Sequence, residues 1–249
     1  MWLPFDGDFD ALGWNRAQTT NGTFEVGVTN ALKTGTAGFP DDMLNLRIVD
    51  GNKSTLRKRN EGCLSLNGGY VDLAFTQFLP DIYDALTIEF FFKANFADKS
   101  WLAMIACRHD KIKSGNTYFE NRLPFCFQEN GSGGVNCRTD TPERENANVA
   151  IPKARNPFDG NWHHVALTIV HDAEHAHQTI TAYLDYENIA TSSVNGVFTV
   201  NDYHFLRFGQ KDKDTSVMLL DEFRVSRGAL PVSAFMRQAG AAGMSIIFR

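Results

Sequence analysis

The sequence predicts an all-β protein, a two-sheet antiparallel β-sandwich with one short helix near its C-terminus. Three observations point there. Short apolar-aromatic runs recur between Gly, Asn and Asp turn signals, the spacing of a sandwich or barrel. Several runs alternate, so successive side chains take opposite faces of a sheet. Phenylalanine occurs 20 times in 249 residues, and aromatic side chains suit a pleated, half-buried surface.

The first 60 residues, rich in Gly and Asn, are read as part of one domain spanning 1–249. Strands are expected at Gly69–Phe75, Leu86–Phe92 and Trp101–Cys107. In the second of these, Leu86, Ile88, Phe90 and Phe92 share a core face. Thr87, Glu89 and Phe91 share the other, which is expected to meet water or a ligand. Thr139–Pro157 is polar and too long for a tight hairpin, so it reads as a functional or mobile loop. Further strands follow at Val165–Val170, Thr179–Leu184 and Val217–Val225. Ala229–Arg237 reads as the short helix, with Pro231 in a first turn where its missing N–H costs nothing. Met244–Arg249 reads as a closing strand.

Four cysteines, Cys63, Cys107, Cys126 and Cys137, show no CxxC spacing, which argues against a zinc site. Cys126 and Cys137 flank a Gly-rich hairpin centred between Gly131 and Ser132. They are either a cross-strand disulfide or two small buried thiols.

The net charge of −5 argues against a nucleic-acid binder, which needs a basic field. Lys53, Arg57, Lys58 and Arg59 read as a solvated loop. No apolar run is long enough for a membrane span, and Asp6 and Asp8 break any secretory h-region. The expectation is a domain of a larger exported chain, extracellular or at a cell surface, rather than a cytoplasmic protein.

Ser65–Leu73, Leu86–Lys93, Gly160–Thr168 with its Trp162-His163-His164-Val165-Ala166 core, Tyr183-Leu184-Asp185 and Leu220–Leu230 occur in a familiar order. Together they resemble the laminin-G-like, concanavalin A-like lectin/glucanase jelly-roll family. Phe5-Asp6-Gly7-Asp8 fits that family's opening strand. The resemblance implies a two-sheet jelly roll of about a dozen strands or more. It also implies a structural calcium ion held by Asp221 with Asp6 or Asp8 and backbone carbonyls. One departure stands out: the family usually has Gly after Tyr-x-Asp, where this chain has Tyr186, so a wider or different turn is expected there.

The fold hosts lectins, hydrolases, lyases and adhesion modules, so function has to be read from residues. His171, Asp172, His175 and His177 sit around an expected hairpin turn, as metal ligands or simply as an exposed polar turn. His163 and His164 point to opposite faces of one strand, one of them a core or sheet-face histidine with satisfied hydrogen bonds. The Glu-x-Asp-x-x-Glu run of concanavalin-like hydrolases is absent, and Asp221 and Glu222 are adjacent and face opposite ways. Arg108, His109, Tyr118, Arg122 and Arg138 could serve a lyase, but the familiar lyase motifs are absent. Sugar binding suits the middle strands better. Trp101, Tyr118 and Phe119 offer faces for a pyranose, and Arg108, Asp110, Glu120, Arg122 and Arg138 offer hydrogen bonds to its hydroxyls. The reading is a non-catalytic carbohydrate-binding module. A polysaccharide-active enzyme and a protein-binding adhesion or spacer module are the alternatives.

Overall fold

Alternating side chains build two antiparallel sheets here. The computed structural model describes residues 2–3, 36–38, 46–47, 63–67, 70–74, 84–95, 103–109, 113–114, 117–118, 125–140, 146–172, 174, 176–196, 204–209 and 218–238. The strands are β1 Trp2–Leu3, β2 Thr36–Gly38, β3 Leu46–Arg47, β4 Leu64–Asn67, β5 Tyr70–Ala74, β6 Ala85–Ala94, β7 Ala103–His109, β8 Lys113–Ser114 and β9 Thr117–Tyr118. They continue as β10 Cys126–Glu129, β11 Val135–Asp140, β12 Asn146–Ile151, β13 Trp162–Asp172, β14 His177–Leu184, β15 Glu187–Asn195, β16 His204–Gly209, β17 Met218–Arg227 and β18 Arg237–Gln238.

One sheet runs β15-β14-β13-β6-β17-β4-β2, with β1 also paired to β17; the other runs β12-β11-β10-β7-β16-β5. Between them lies one apolar core. Ile88, Phe90 and Phe92 of β6 meet Phe127 of β10 and Phe208 of β16 there. Phe90 and Phe127 pack edge to face at 4.8 Å, as do Phe208 and Phe223 at 5.2 Å, the geometry that ring quadrupoles favour.

Three expectations need correction, and one pair of alternatives is decided. The second face of β6 does not meet solvent: Thr87, Glu89 and Phe91 are all buried. Residues 228–238 lie over that face as a strap. Thr87 Oγ1 donates to the Gly228 carbonyl (2.7 Å) and accepts from the Leu230 N–H (2.9 Å). Met236 N–H donates to Glu89 (2.9 Å).

The same strap replaces the expected helix. Its helical part is a single 3-10 turn, Val232–Ala234, ahead of β18, because sheet side chains capture the backbone groups that a longer helix would pair internally.

Residues 146–151 are not loop but strand β12, paired with β11 from Val135↔Ile151 to Asp140↔Asn146.

Of the two alternatives for Cys126 and Cys137, the structure has the buried thiols, without a bridge. None of the four cysteines is in a disulfide, and all are buried. The hairpin pairs Cys126 with Arg138 and Phe127 with Cys137, one residue out of the expected register. A one-residue slip sends a side chain to the opposite face, so Cys137 joins the main core and Cys126 lies on the outer side with Ala103 and Ala106. The turn chemistry sets this register. Asn130 Oδ1 accepts N–H groups from Ser132 and Gly134 (both 3.0 Å), and Glu129 accepts from Gly133 (2.9 Å). Met244–Arg249 lies outside the described residues.

Candidate functional site

Of the residues expected to bind sugar, Arg108 in β7 and Arg138 in β11 belong to the six-stranded sheet. Successive strand pairings align Arg207, Ala106, Cys126, Arg138 and Asn148 in one row across β16, β7, β10, β11 and β12. Arg138 and Arg207 are half-buried, while Ala106 and Cys126 between them are buried. At about 4.8 Å per strand, the two arginine backbones stand about 14 Å apart across a floor of small side chains. Arg108 follows two residues after Ala106 in β7, so its strand position belongs to the same face. Tyr118 lies in β9, in a separate two-stranded ladder with β8. Trp101, Asp110, Phe119, Glu120 and Arg122 lie outside the described residues. Nothing in the local sequence marks Arg207 as a candidate. Only the register of β16 against β7 brings it into the row.

On the opposite side of the molecule, the strap covers a buried charged cluster. Arg224 Nε donates to Glu89 Oε1 at 2.7 Å, and Arg224 Nη2 bonds both that oxygen and the Ala234 carbonyl (2.8 Å to the carbonyl). Glu89 Oε2 accepts from His164 Nε2 (2.9 Å) and from Met236 N–H. Burial alone would raise the Glu89 pKa. The His164 hydrogen bond, the Arg224 charge and the Met236 N–H outweigh it and hold the carboxyl below the usual range. With every oxygen engaged, Glu89 ties the strap to the sheet and has no free lone pair for general acid or base work.

His163 and His164 do point to opposite faces. His163 Nδ1 lies 2.7 Å from Asp185 Oδ2 and its Nε2 3.1 Å from Asp159 Oδ1. His164 stacks on Tyr186.

The turn at Asp185–Tyr186 is no wider than a glycine-bearing one. Leu184 pairs directly with Glu187, and Asp185 and Tyr186 have φ of 47° and 72°. That is the two-residue pattern usually filled by Asn-Gly.

Asp172 and His177 are cross-strand partners, and His177 Nδ1 lies 3.3 Å from Asn195 Oδ1. His175 lies outside the described residues. Among the described residues no three His, Cys, Asp or Glu side chains converge as metal ligands.

A profile of laminin-G-like domains, described as the concanavalin A-like lectin/glucanases superfamily, matches residues 66–234. The chain belongs to this family. No curated protein matches the sequence of this laminin-G-like domain. Solved structures similar to it include the binding domain of botulinum neurotoxin serotype D (TM-score 0.51, 12% identity, 76% of this chain and 44% of that one). Another is the receptor-binding domain of mosaic serotype C/D (0.52, 10%, 80% and 44%). A third is the serotype D ligand-binding domain in complex with N-acetylneuraminic acid (0.50, 11%, 77% and 45%). The laminin-G-like domain thus spans less than half of each toxin chain, and likeness at this identity shows the fold.

Asp221 and Glu222, fully buried at a bulge in β17 where Glu222 takes φ 51°, supply oxygen donors of the kind a hard cation takes. Asp221 Oδ1 also accepts the Glu222 N–H (2.8 Å). β1 pairs beside them, with Leu3 opposite Phe223. The donor chemistry fits calcium in kind. Asp6 and Asp8 lie outside the described residues.

No helix among the described residues is long and apolar enough to cross a membrane.

Proposed function

We propose that this laminin-G-like domain is a non-catalytic carbohydrate-binding module of an exported multidomain protein, and that it takes acidic glycans. The observation that carries the reading is the strand row that sets half-buried Arg138 and Arg207 on one face of the sheet, with the buried Ala106 and Cys126 between them and Arg108 in the same strand as Ala106. Guanidinium groups bind sugar carboxylates or sulfates with paired, charge-assisted hydrogen bonds. A structure with the same fold has been determined in complex with N-acetylneuraminic acid, which adds support. Trp101, Asp110, Tyr118, Glu120 and Arg122 are proposed as further contacts. The fully engaged Glu89 does not favour the hydrolase or lyase alternative.

Glycan-array and affinity-gel binding, with calcium present, tests the proposal. Sialylated, uronic or sulfated glycans are expected to be retained, and Arg138→Ala with Arg207→Ala to weaken retention at least tenfold. Retention of no polysaccharide at all removes it.

The proposal includes a structural calcium ion near Asp221, which would staple the start of the chain to β17 and take no part in chemistry.

A further inference from the structure

Two adjacent dipeptides grip one another at one end of the large sheet. Asp185 N–H donates to the His164 carbonyl (2.8 Å), and Asp185 Oδ1 accepts the His164 N–H (2.9 Å). The other oxygen, Oδ2, faces His163. Tyr186, the next residue, lays its ring on His164 with centroids 4.8 Å apart and planes 17° from parallel. Its second face carries the guanidinium of Arg237, 3.8 Å from the ring centroid. Arg237 belongs to the strap, and Phe235 of the strap also meets His164 (5.7 Å) and Tyr183 (5.1 Å). The seat of the strap is therefore a turn whose preceding residue is held by His163.

We propose that His163 is a pH-sensitive clasp for the strap: its cationic ring holds the Asp185–Tyr186 turn in place, and loss of a ring proton loosens the seat on which Arg237 and Phe235 rest.

The geometry supports a cation at His163. An ionised carboxylate only accepts hydrogen bonds, so contact with one carboxylate at each ring nitrogen requires protons on both. Burial pushes the His163 pKa down, but Asp185 and Asp159 outweigh it and raise the pKa above the ordinary histidine value. Among the described residues these two carboxylates are the charged groups recorded against the ring. From β6 it meets the ring of Phe92, and the next charged pair on the same two segments, Arg155–Glu187, is closed on itself at 2.7 Å. A neutral ring leaves one N–H for two anions, and Asp159 and Asp185 then repel across it. The turn bears that repulsion, with both of its residues already in the left-handed region.

Solution NMR of the intact chain tests the clasp. The His163 imidazole signal and the backbone amides of Phe235, Met236 and Arg237 are followed from pH 5 to 9. A shared midpoint is expected for all four. In Asp159→Asn, whose substituted side chain lies on an exposed loop, both midpoints should fall together by about one pH unit. In Tyr186→Gly the ring should still titrate while the strap amides stop following it. Strap amides that do not titrate overturn the proposal. So do strap amides whose midpoint stays put in Asp159→Asn, since they would then not be following His163.

Discussion

Tyr186 lies flat against His164 while its own backbone sits at φ 72°, a conformation that side chains other than glycine's adopt at a cost. The ring contacts explain why tyrosine is tolerated there. One face is stacked on His164 and the other is covered by Arg237. Stacking and cation–π contacts contribute about 0.5–1.5 kcal/mol each, against a backbone cost of about 1–2 kcal/mol. Tyr186→Gly removes both sides of this balance and is expected to cost about 1 kcal/mol or less. Tyr186→Ala keeps the strain and loses the contacts, costing about 2 kcal/mol. Thermal melts should rank wild type above Gly above Ala, with roughly 2–4 °C per kcal/mol in a chain this long. An alanine variant as stable as the glycine variant would show that the strain is not real.

The four thiols are expected to be free and inert. Burial raises the Cys107 and Cys137 thiols well above their usual range, and the thiolate is the reactive form. A thiol reagent should label the native protein slowly. After denaturation without reductant it should find four thiols per chain, and a count of two would restore a disulfide. At the hairpin that sets the register, a Cβ on Gly134 would collide with the Ile151 backbone carbonyl. Gly134→Ala is expected to destabilise by about 1–3 kcal/mol in urea unfolding.

What the sequence made legible follows from where its signals are local. Leu86–Phe92 and Thr179–Leu184 alternate strongly and appear as β6 and β14 with little change at their ends. β12 is not legible as a strand because its Asn-Ala-Asn-Val-Ala-Ile run is short and rich in Asn and Ala, which are depleted in strands. Only pairing with β11 makes it one. The strap resembles a helix in sequence because the partners that hold it extended, Thr87 and Glu89 above all, lie on β6, far away in sequence. Tertiary hydrogen bonds there override local propensity. The candidate site divides the same way. Arg108 and Arg138 stand out as residue types near middle strands, whereas Arg207 becomes a candidate only through the β16–β7 register.

Calcium is expected to stabilise the domain. With the ion at about a hundredfold its dissociation constant, a site that exists only in the folded state contributes about 2.7 kcal/mol, or roughly 5–10 °C in melting temperature. Protein dialysed against EDTA should melt lower by this amount and recover on adding calcium, and magnesium should restore less because it demands a tighter octahedral site. Asp221→Asn should lose the calcium response. A melting temperature that ignores both EDTA and calcium would leave Asp221 and Glu222 as ordinary buried carboxylates.

Glu89 predicts how the fold responds to acid. Its pKa is lowered in the folded state, so its contribution is present above the unfolded value of about 4.3 and is lost as pH falls through the lower folded value. Protonation would weaken the pairing with Arg224 and the bonds from His164 and Met236, so the strap and the sheet should come apart together below about pH 4. Glu89→Ala leaves Arg224 buried without its carboxylate and is expected to cost about 3–5 kcal/mol at neutral pH. Glu89→Gln keeps the shape and should flatten the dependence of stability on acid. Replacing Glu89, Arg224 and His164 together by apolar side chains should recover much of the loss, because a buried ion pair is worth little over good packing. Urea unfolding at pH 3.5 and 7 separates these outcomes: a Glu89→Gln variant as acid-sensitive as wild type would place the titrating group elsewhere.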